Sequence, residues 1–153
     1  MGGFADTVAT ACDGFLSRAR AMPGAVVDEA AERIIGRSPI GMPETWKRGK
    51  APDGYVPGQF RSNWNLGVDS IDRTTTTQTN SFFLQGRERM PADPFGHRFY
   101  ISNAKPYAWR LEVDAWSRQA PNGMVRLTAD EFDTILQIAA KKVGGRPPAM
   151  EYA

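Results

Sequence analysis

At 153 residues, with 41% hydrophobic and 24% charged residues, the chain has the size and balance of one soluble domain, able to bury roughly two-thirds of its unfolded surface. Its net charge is only +2 and both signs are interspersed throughout, which is too even to argue for nucleic-acid binding by itself. A single cysteine, Cys12, excludes an internal disulfide and fits synthesis in a reducing compartment. The first residues lack a basic stretch ahead of an apolar run, and no apolar run approaches membrane-spanning length, so the expected place of synthesis is the cytosol.

In chain order, Phe4, Val8, Ala11, Phe15, Ala19 and Met22 recur at spacings of three and four, which predicts an amphipathic helix. Pro23-Gly24 is expected to end or kink it. The stripe resumes with Val27, Ala30, Ala31, Ile34 and Ile35, and Gly36 with Pro39 terminates it. Residues 38–57 are rich in Gly, Pro and basic residues and read as an unusually long loop. Within it Trp46 and Tyr55 stand beside Lys47, Arg48 and Lys50, a set that suits DNA phosphates or an acidic partner; a solvated loop with its tryptophan folded back is the alternative.

Residues 60–68 alternate strictly, with Phe60, Ser62, Trp64, Leu66 and Val68 on one side, and predict a strand. The threonine run 74–79 has β propensity without an apolar face, as an exposed edge strand or arm would. Phe82, Phe83 and Leu84 fit a further strand or a short helix. Residues 98–103 alternate again and predict a strand ending at Asn103. Pro106 suits the first position of a short helical turn, with Tyr107 and Leu111 facing the sheet. An irregular segment carrying Trp116 and Arg118 then closes at Pro121, Asn122 and Gly123. Thr128 and Glu131 form a candidate capping box, with Leu127 and Phe132 as its staple, for a last helix whose buried stripe is Phe132, Ile135, Leu136, Ala139 and Val143. Gly144-Gly145 stops that helix, and 144–153 reads as an extended tail, either disordered or laid on a neighbouring subunit. Together these elements make a single α+β domain over 1–153: N-terminal and C-terminal helices packed on a small antiparallel β-sheet with long loops.

The stretch around Asn103, Pro106 to Ala108, Leu111 and Glu112, Trp116 and Ser117, Gln119 to Pro121, and Gly123 to Val125 resembles the signature of the tail-completion, or head-to-tail joining, proteins of tailed bacteriophages. It departs where Ala115 replaces the family's usual glycine, and Gly permits backbone angles that Ala resists. Ser38-Pro39 and GQFRSNW at 58–64 match two further anchors, which makes 38–57 resemble an insertion between them. The resemblance implies a virion protein of the neck: six copies in a ring between the head connector and the upper end of the tail, with DNA passing through. Its partners would be further copies of itself, a head-completion or connector protein, a tail-terminator or tail-tube protein, and DNA in the lumen by non-specific contact.

No catalytic, cofactor or metal constellation is evident. His97, the only histidine, has no nucleophile or carboxylate partner in sequence and reads as a surface residue. Glu112 matches the family's glutamate and is expected to accept backbone N–H groups of the Trp116 loop, or an arginine such as Arg61 or Arg126. Trp46, Lys47, Arg48, Lys50, Tyr55, Trp116 and Arg118 are the candidate subunit or partner contacts, since exposed Trp and Arg often anchor interfaces; a buried role for Trp116 stays open. Asn103, Pro106, Tyr107, Glu112 and Gly123 are the candidate loop-shaping residues. The alternatives are a tail terminator that caps the tail tube, and a small DNA-binding protein using the Trp46 loop and the threonine segment.

Overall fold

A computed structural model describes residues 2–144; the predicted tail therefore lies outside the described residues beyond Gly144. The α+β class is as the sequence predicts. A 34-residue helix α1 (Phe4–Arg37) is followed by strands β1 (Asn65–Val68) and β2 (Phe99–Ser102) and by helices α2 (Ala108–Glu112), α3 (Val125–Asp130) and α4 (Phe132–Lys142). The two strands pair antiparallel, with Leu66 opposite Ile101 and Val68 opposite Phe99.

Pro23 does not end α1; the helix runs through it. Proline removes one hydrogen bond, to the carbonyl four residues back, and the helix continues without it. Arg87 crosses buried Gly24, where a Cβ would lie 3.0 Å from the guanidinium, and pairs with Asp28 one turn further on. The two halves of α1 differ in what they touch. Val27, Ala31, Ile34 and Ile35 enter the core, whereas residues 4–13, 15–18, 20 and 21 are exposed. The first half is therefore an arm, not a layer packed on the sheet.

The hydrophobic core joins that second half of α1 to Phe60, Trp64, Leu66, Tyr107, Leu111 and Met124. A polar network fastens α1 to the C-terminal helices. Glu29, nearly buried, accepts Lys142 Nζ at 2.8 Å and Arg33 at 3.0 Å, while Glu131 accepts Arg33 at 2.7 Å and Arg37 at 2.6 Å. The Lys142 hydrogen bond is the main reason that the Glu29 carboxyl titrates below its ordinary value; Arg37 does the same for Glu131.

Three local expectations are corrected. The predicted strand over 60–68 is a strand only from Asn65, because Arg61–Asn63 forms a 3-10 turn, and Asn63 and Asn65 are as buried as their apolar neighbours. Their side chains explain it. Asn63 Nδ2 donates to Thr76 O at 3.0 Å and its Oδ1 accepts Thr76 N–H at 2.7 Å, while Asn65 Nδ2 donates to Thr74 O at 2.8 Å. The threonine segment is thus tied by amide side chains and is no edge strand. Phe82, Phe83 and Leu84 make neither strand nor helix; only Gln85 pairs beside β1, its N–H donating to Trp64 O and its carbonyl accepting Leu66 N–H.

The predicted capping box at Thr128 is also not formed. Thr128 lies inside α3, its hydroxyl donating to Met124 O and accepting Arg37, and Glu131 is drawn to the α1 arginines. Chain packing thus outbids the local cap. Phe132, expected in the buried stripe, is half exposed, while Ile135 and Ala139 are fully buried.

Candidate interaction surface

Glu112, at the end of α2, supplies the cap that Thr128 does not. Its Oε2 accepts Met124 N–H at 2.8 Å and Val125 N–H at 3.1 Å, and its Oε1 accepts Arg126 N–H at 2.9 Å. A carboxylate at the orphaned N–H groups of α3 satisfies donors and opposes the helix dipole. The backbone-acceptor role expected of Glu112 is found, whereas Arg126 sends its guanidinium to Asn122 O and Arg61 to Ser38 O. Gly123, at φ +80°, lets the chain pass Glu112: a Cβ there would lie 2.6 Å from Oε1 and 2.8 Å from the Glu112 carbonyl. Ala115, where the resemblance has glycine, takes φ +47° and so accepts the left-handed backbone that glycine adopts more easily.

The other loop-shaping residues act locally. Asn103 Nδ2 donates to Phe60 O at 2.8 Å, tying β2 to the turn that precedes β1. Pro106 occupies a turn closed by Ala108 N–H on Lys105 O, two residues before α2 begins rather than at its first position. Tyr107 and Leu111 point inward as their spacing predicts; burial pushes the Tyr107 hydroxyl up to about 12, and it has no hydrogen-bond partner.

The long loop 38–57 is solvated over much of its length with its tryptophan folded back, as the alternative reading expects. Trp46, 4% exposed, and Trp116, 9% exposed, belong to the core, so their assignment as exposed contact residues is corrected. Lys47 N–H donates to Trp116 O and Arg118 N–H to Thr45 O, a short antiparallel bridge that staples this loop to the Trp116 loop. The Trp46 and Tyr55 rings meet edge-on at 4.7 Å, Tyr55 and Tyr107 lie 5.0 Å apart, and the Tyr55 hydroxyl donates to the Pro39 and Ile40 carbonyls. Trp116 Nε1 donates to Lys50 O. Beside the exposed Met42, Glu44, Asp53 and Val56 of this loop, Lys47, Arg48, Lys50, Arg110 and Arg118 are exposed cations, and the Arg48 and Arg110 guanidinium groups lie 5.0 and 4.8 Å from the Trp116 ring centre. The buried tryptophan thus holds two of five clustered cations at fixed positions.

An apolar surface lies elsewhere, and sequence reasoning missed it. Trp109 is 70% exposed. Its position two residues after buried Tyr107 and two before buried Leu111 places it on the opposite side of α2, a signal that the same spacing argument contained. Trp109, Ile101 and Val125 line one groove; Ile101 and Val125 also line a larger trough of about 490 Å³ with Met22, Val26, Phe99, Phe132 and Leu136. The trough opens between α1, β2, α3 and α4 and leads onto the exposed arm. Such continuous exposed apolar surface marks interaction sites in soluble proteins.

His97 lies on the surface, its Nδ1 2.7 Å from Asp69, whose carboxyl is held below its ordinary value first by the Arg98 N–H and then by that histidine. Among the described residues no group of three or more His, Cys, Asp or Glu is placed to hold a metal ion, and no helix is long and apolar enough to cross a membrane. No family model matches the chain, and neither a curated protein nor a solved structure matches it.

Proposed function

We propose that this chain is a structural protein of a bacteriophage neck, whose copies assemble into a ring, of six by the resemblance, joining the head connector to the tail while DNA passes through. The observation that carries the proposal is the apolar surface running from Trp109 through the trough to the arm, exposed in the single chain. A monomer in isolation gains nothing from such a surface, whereas a subunit needs it. The loop built around Glu112 and Gly123 coincides with the stretch that carries the resemblance and sets the entry to α3, whose Val125 lies on that surface. The clustered cations Lys47, Arg48, Lys50, Arg110 and Arg118 favour contact with DNA phosphates, and in a ring they suit the lumen.

Electron microscopy of a lysate from phage lacking the gene tests this. Filled heads beside separate tails of normal length are expected. Tails of uncontrolled length would instead identify a tail terminator, and intact virions would refute both. Duplex binding by the isolated protein that needs the five cations, in a phage that joins normally without the gene, would favour a DNA-binding role.

A further inference from the structure

The arm and the trough are both apolar surfaces that the single chain leaves uncovered. Phe4, Val8, Ala11, Phe15, Ala19, Met22 and Val26 follow one another at steps of four and three along α1, so the exposed stripe of the arm runs without interruption into residues that line the trough. Asp6, Asp13 and Arg20, seven apart, occupy the opposite side of the arm and stay in water when the stripe is covered. Small residues flank the stripe at Ala5 and Cys12, which permits close approach to a partner surface.

The trough is apolar and open, and the chain's own arm does not reach it. Met22 and Pro23 form part of its wall, and α1 continues from them as one helix, which carries residues 4–21 about 27 Å onward at 1.5 Å per residue. Phe4 is 87% and Phe15 64% exposed; at roughly 200 Å² for a whole phenylalanine these two amount to about 300 Å² awaiting cover. One arm seated in one trough covers that apolar surface on the donor side of each seam, a substantial part of the roughly 800 Å² per partner of a stable interface.

We infer that the trough formed by Met22, Val26, Phe99, Phe132 and Leu136 is the docking site for the N-terminal arm of a second copy of this chain, with Phe4, Val8 and Phe15 as the inserted side chains. The inference rests on the assembly proposed above for its setting and names the contact that builds it. Surface donated by one copy and received by the next is heterologous, the kind of contact that closes into rings.

Cys12, exposed on the arm and the only cysteine, carries the test. The full chain is labelled there with a benzophenone maleimide, mixed one to one with its nitrogen-15 form, irradiated, and the crosslinked peptides are mapped. Mixed-isotope crosslinks from Cys12 to trough residues are expected. Crosslinks confined to one copy, arm-to-arm crosslinks, or none would overturn the inference. In parallel, Phe15→Asp and Leu136→Asp are each expected to weaken self-association at least tenfold by sedimentation, and the pair no more than the stronger single change, because both remove the same contact. Phe15→Asp lies on an exposed arm, so its unfolding midpoint should match the parent at dilutions where both are monomeric; unchanged association in that variant refutes the docking. Normal arm docking together with intact virions from gene-deleted phage would sink the neck proposal alone. Separate heads and tails with no arm-to-trough crosslink would sink the docking alone.

Discussion

Replacing Glu112 tests whether the whole Trp116 loop is organised from one carboxylate. Glu112→Ala removes two acceptor oxygens and with them three hydrogen bonds of 2.8 to 3.1 Å to the first N–H groups of α3. A hydrogen bond to an ionised acceptor contributes about 1.5–3 kcal/mol, and loss of an ordinary helix cap costs about 0.5–2 kcal/mol. Val125 and Arg126 are exposed and their N–H groups regain water, so the three bonds do not add. Only the Met124 N–H, on a fully buried residue, is left without easy solvation. The expected loss is therefore about 2–3 kcal/mol, with Glu112→Gln, which keeps one carbonyl acceptor but no charge, losing about half. Urea unfolding followed by tryptophan fluorescence measures it. With an m-value of about 1.5–2 kcal/mol/M the midpoint should fall by about 1–2 M. Amide exchange should localise the change to residues 124–126. A Glu112→Ala midpoint within about 0.3 M of the parent, with those amides still protected, would refute the capping role.

Further outcomes concern the turns, the polar network and the Trp46 loop. Ala115→Gly should stabilise by about 0.5–1 kcal/mol in thermal unfolding, because relief of the left-handed backbone exceeds the entropy that glycine adds to the unfolded chain; Gly123→Ala should destabilise by about 2–4 kcal/mol, since its Cβ meets both the carboxylate and the carbonyl of Glu112. The Glu29 carboxyl is depressed in the folded chain, so its contribution is fully present above about pH 4.5 and is lost as pH falls through the lower folded value; the Tm difference between parent and Glu29→Gln should therefore be largest above pH 5 and shrink towards pH 3, and a gap independent of pH would count against the Lys142 pair. Trp46→Ala should cost about 3–5 kcal/mol as a core deletion, whereas joint reversal of Lys47, Arg48 and Lys50 to Glu should leave Tm within about 2 °C and lower salt-dependent duplex binding by fluorescence anisotropy; equal stability loss in both would contradict the division between buried ring and exposed charge.

What was legible in the sequence was what neighbours in the chain decide. The existence of β2, though not a burial alternation along it, the inward Tyr107 and Leu111, and the backbone-acceptor role of Glu112 all rest on short spacings or on one residue type in one motif. The misses share a different cause. Whether Trp46 is outside or inside depends on Tyr55, Tyr107 and the Trp116 loop meeting it from elsewhere in the chain. Thr128 has the right neighbour for a capping box, but Arg33 and Arg37, more than ninety residues earlier, take Glu131 away. Pro23 is a helix stop by local rules, yet α1 runs through it into a second half that the core holds through Val27, Ala31, Ile34 and Ile35. Of the interaction surface, the arm stripe was visible as periodicity, while the trough needs four elements brought together and leaves no local pattern.

The amide side chains of Asn63 and Asn65 have a consequence for how freely this chain can vary. A ladder between strands is made by backbone and tolerates almost any side chain, but residues 74 to 76 are fastened by two specific amides. Replacing either one unbuttons the threonine segment without removing a single hydrogen bond between β1 and β2. The exposed residues Thr77 to Asn80, just past the last of those ties, are accordingly where the chain can absorb added length or a protease cut while the sheet and core stay whole.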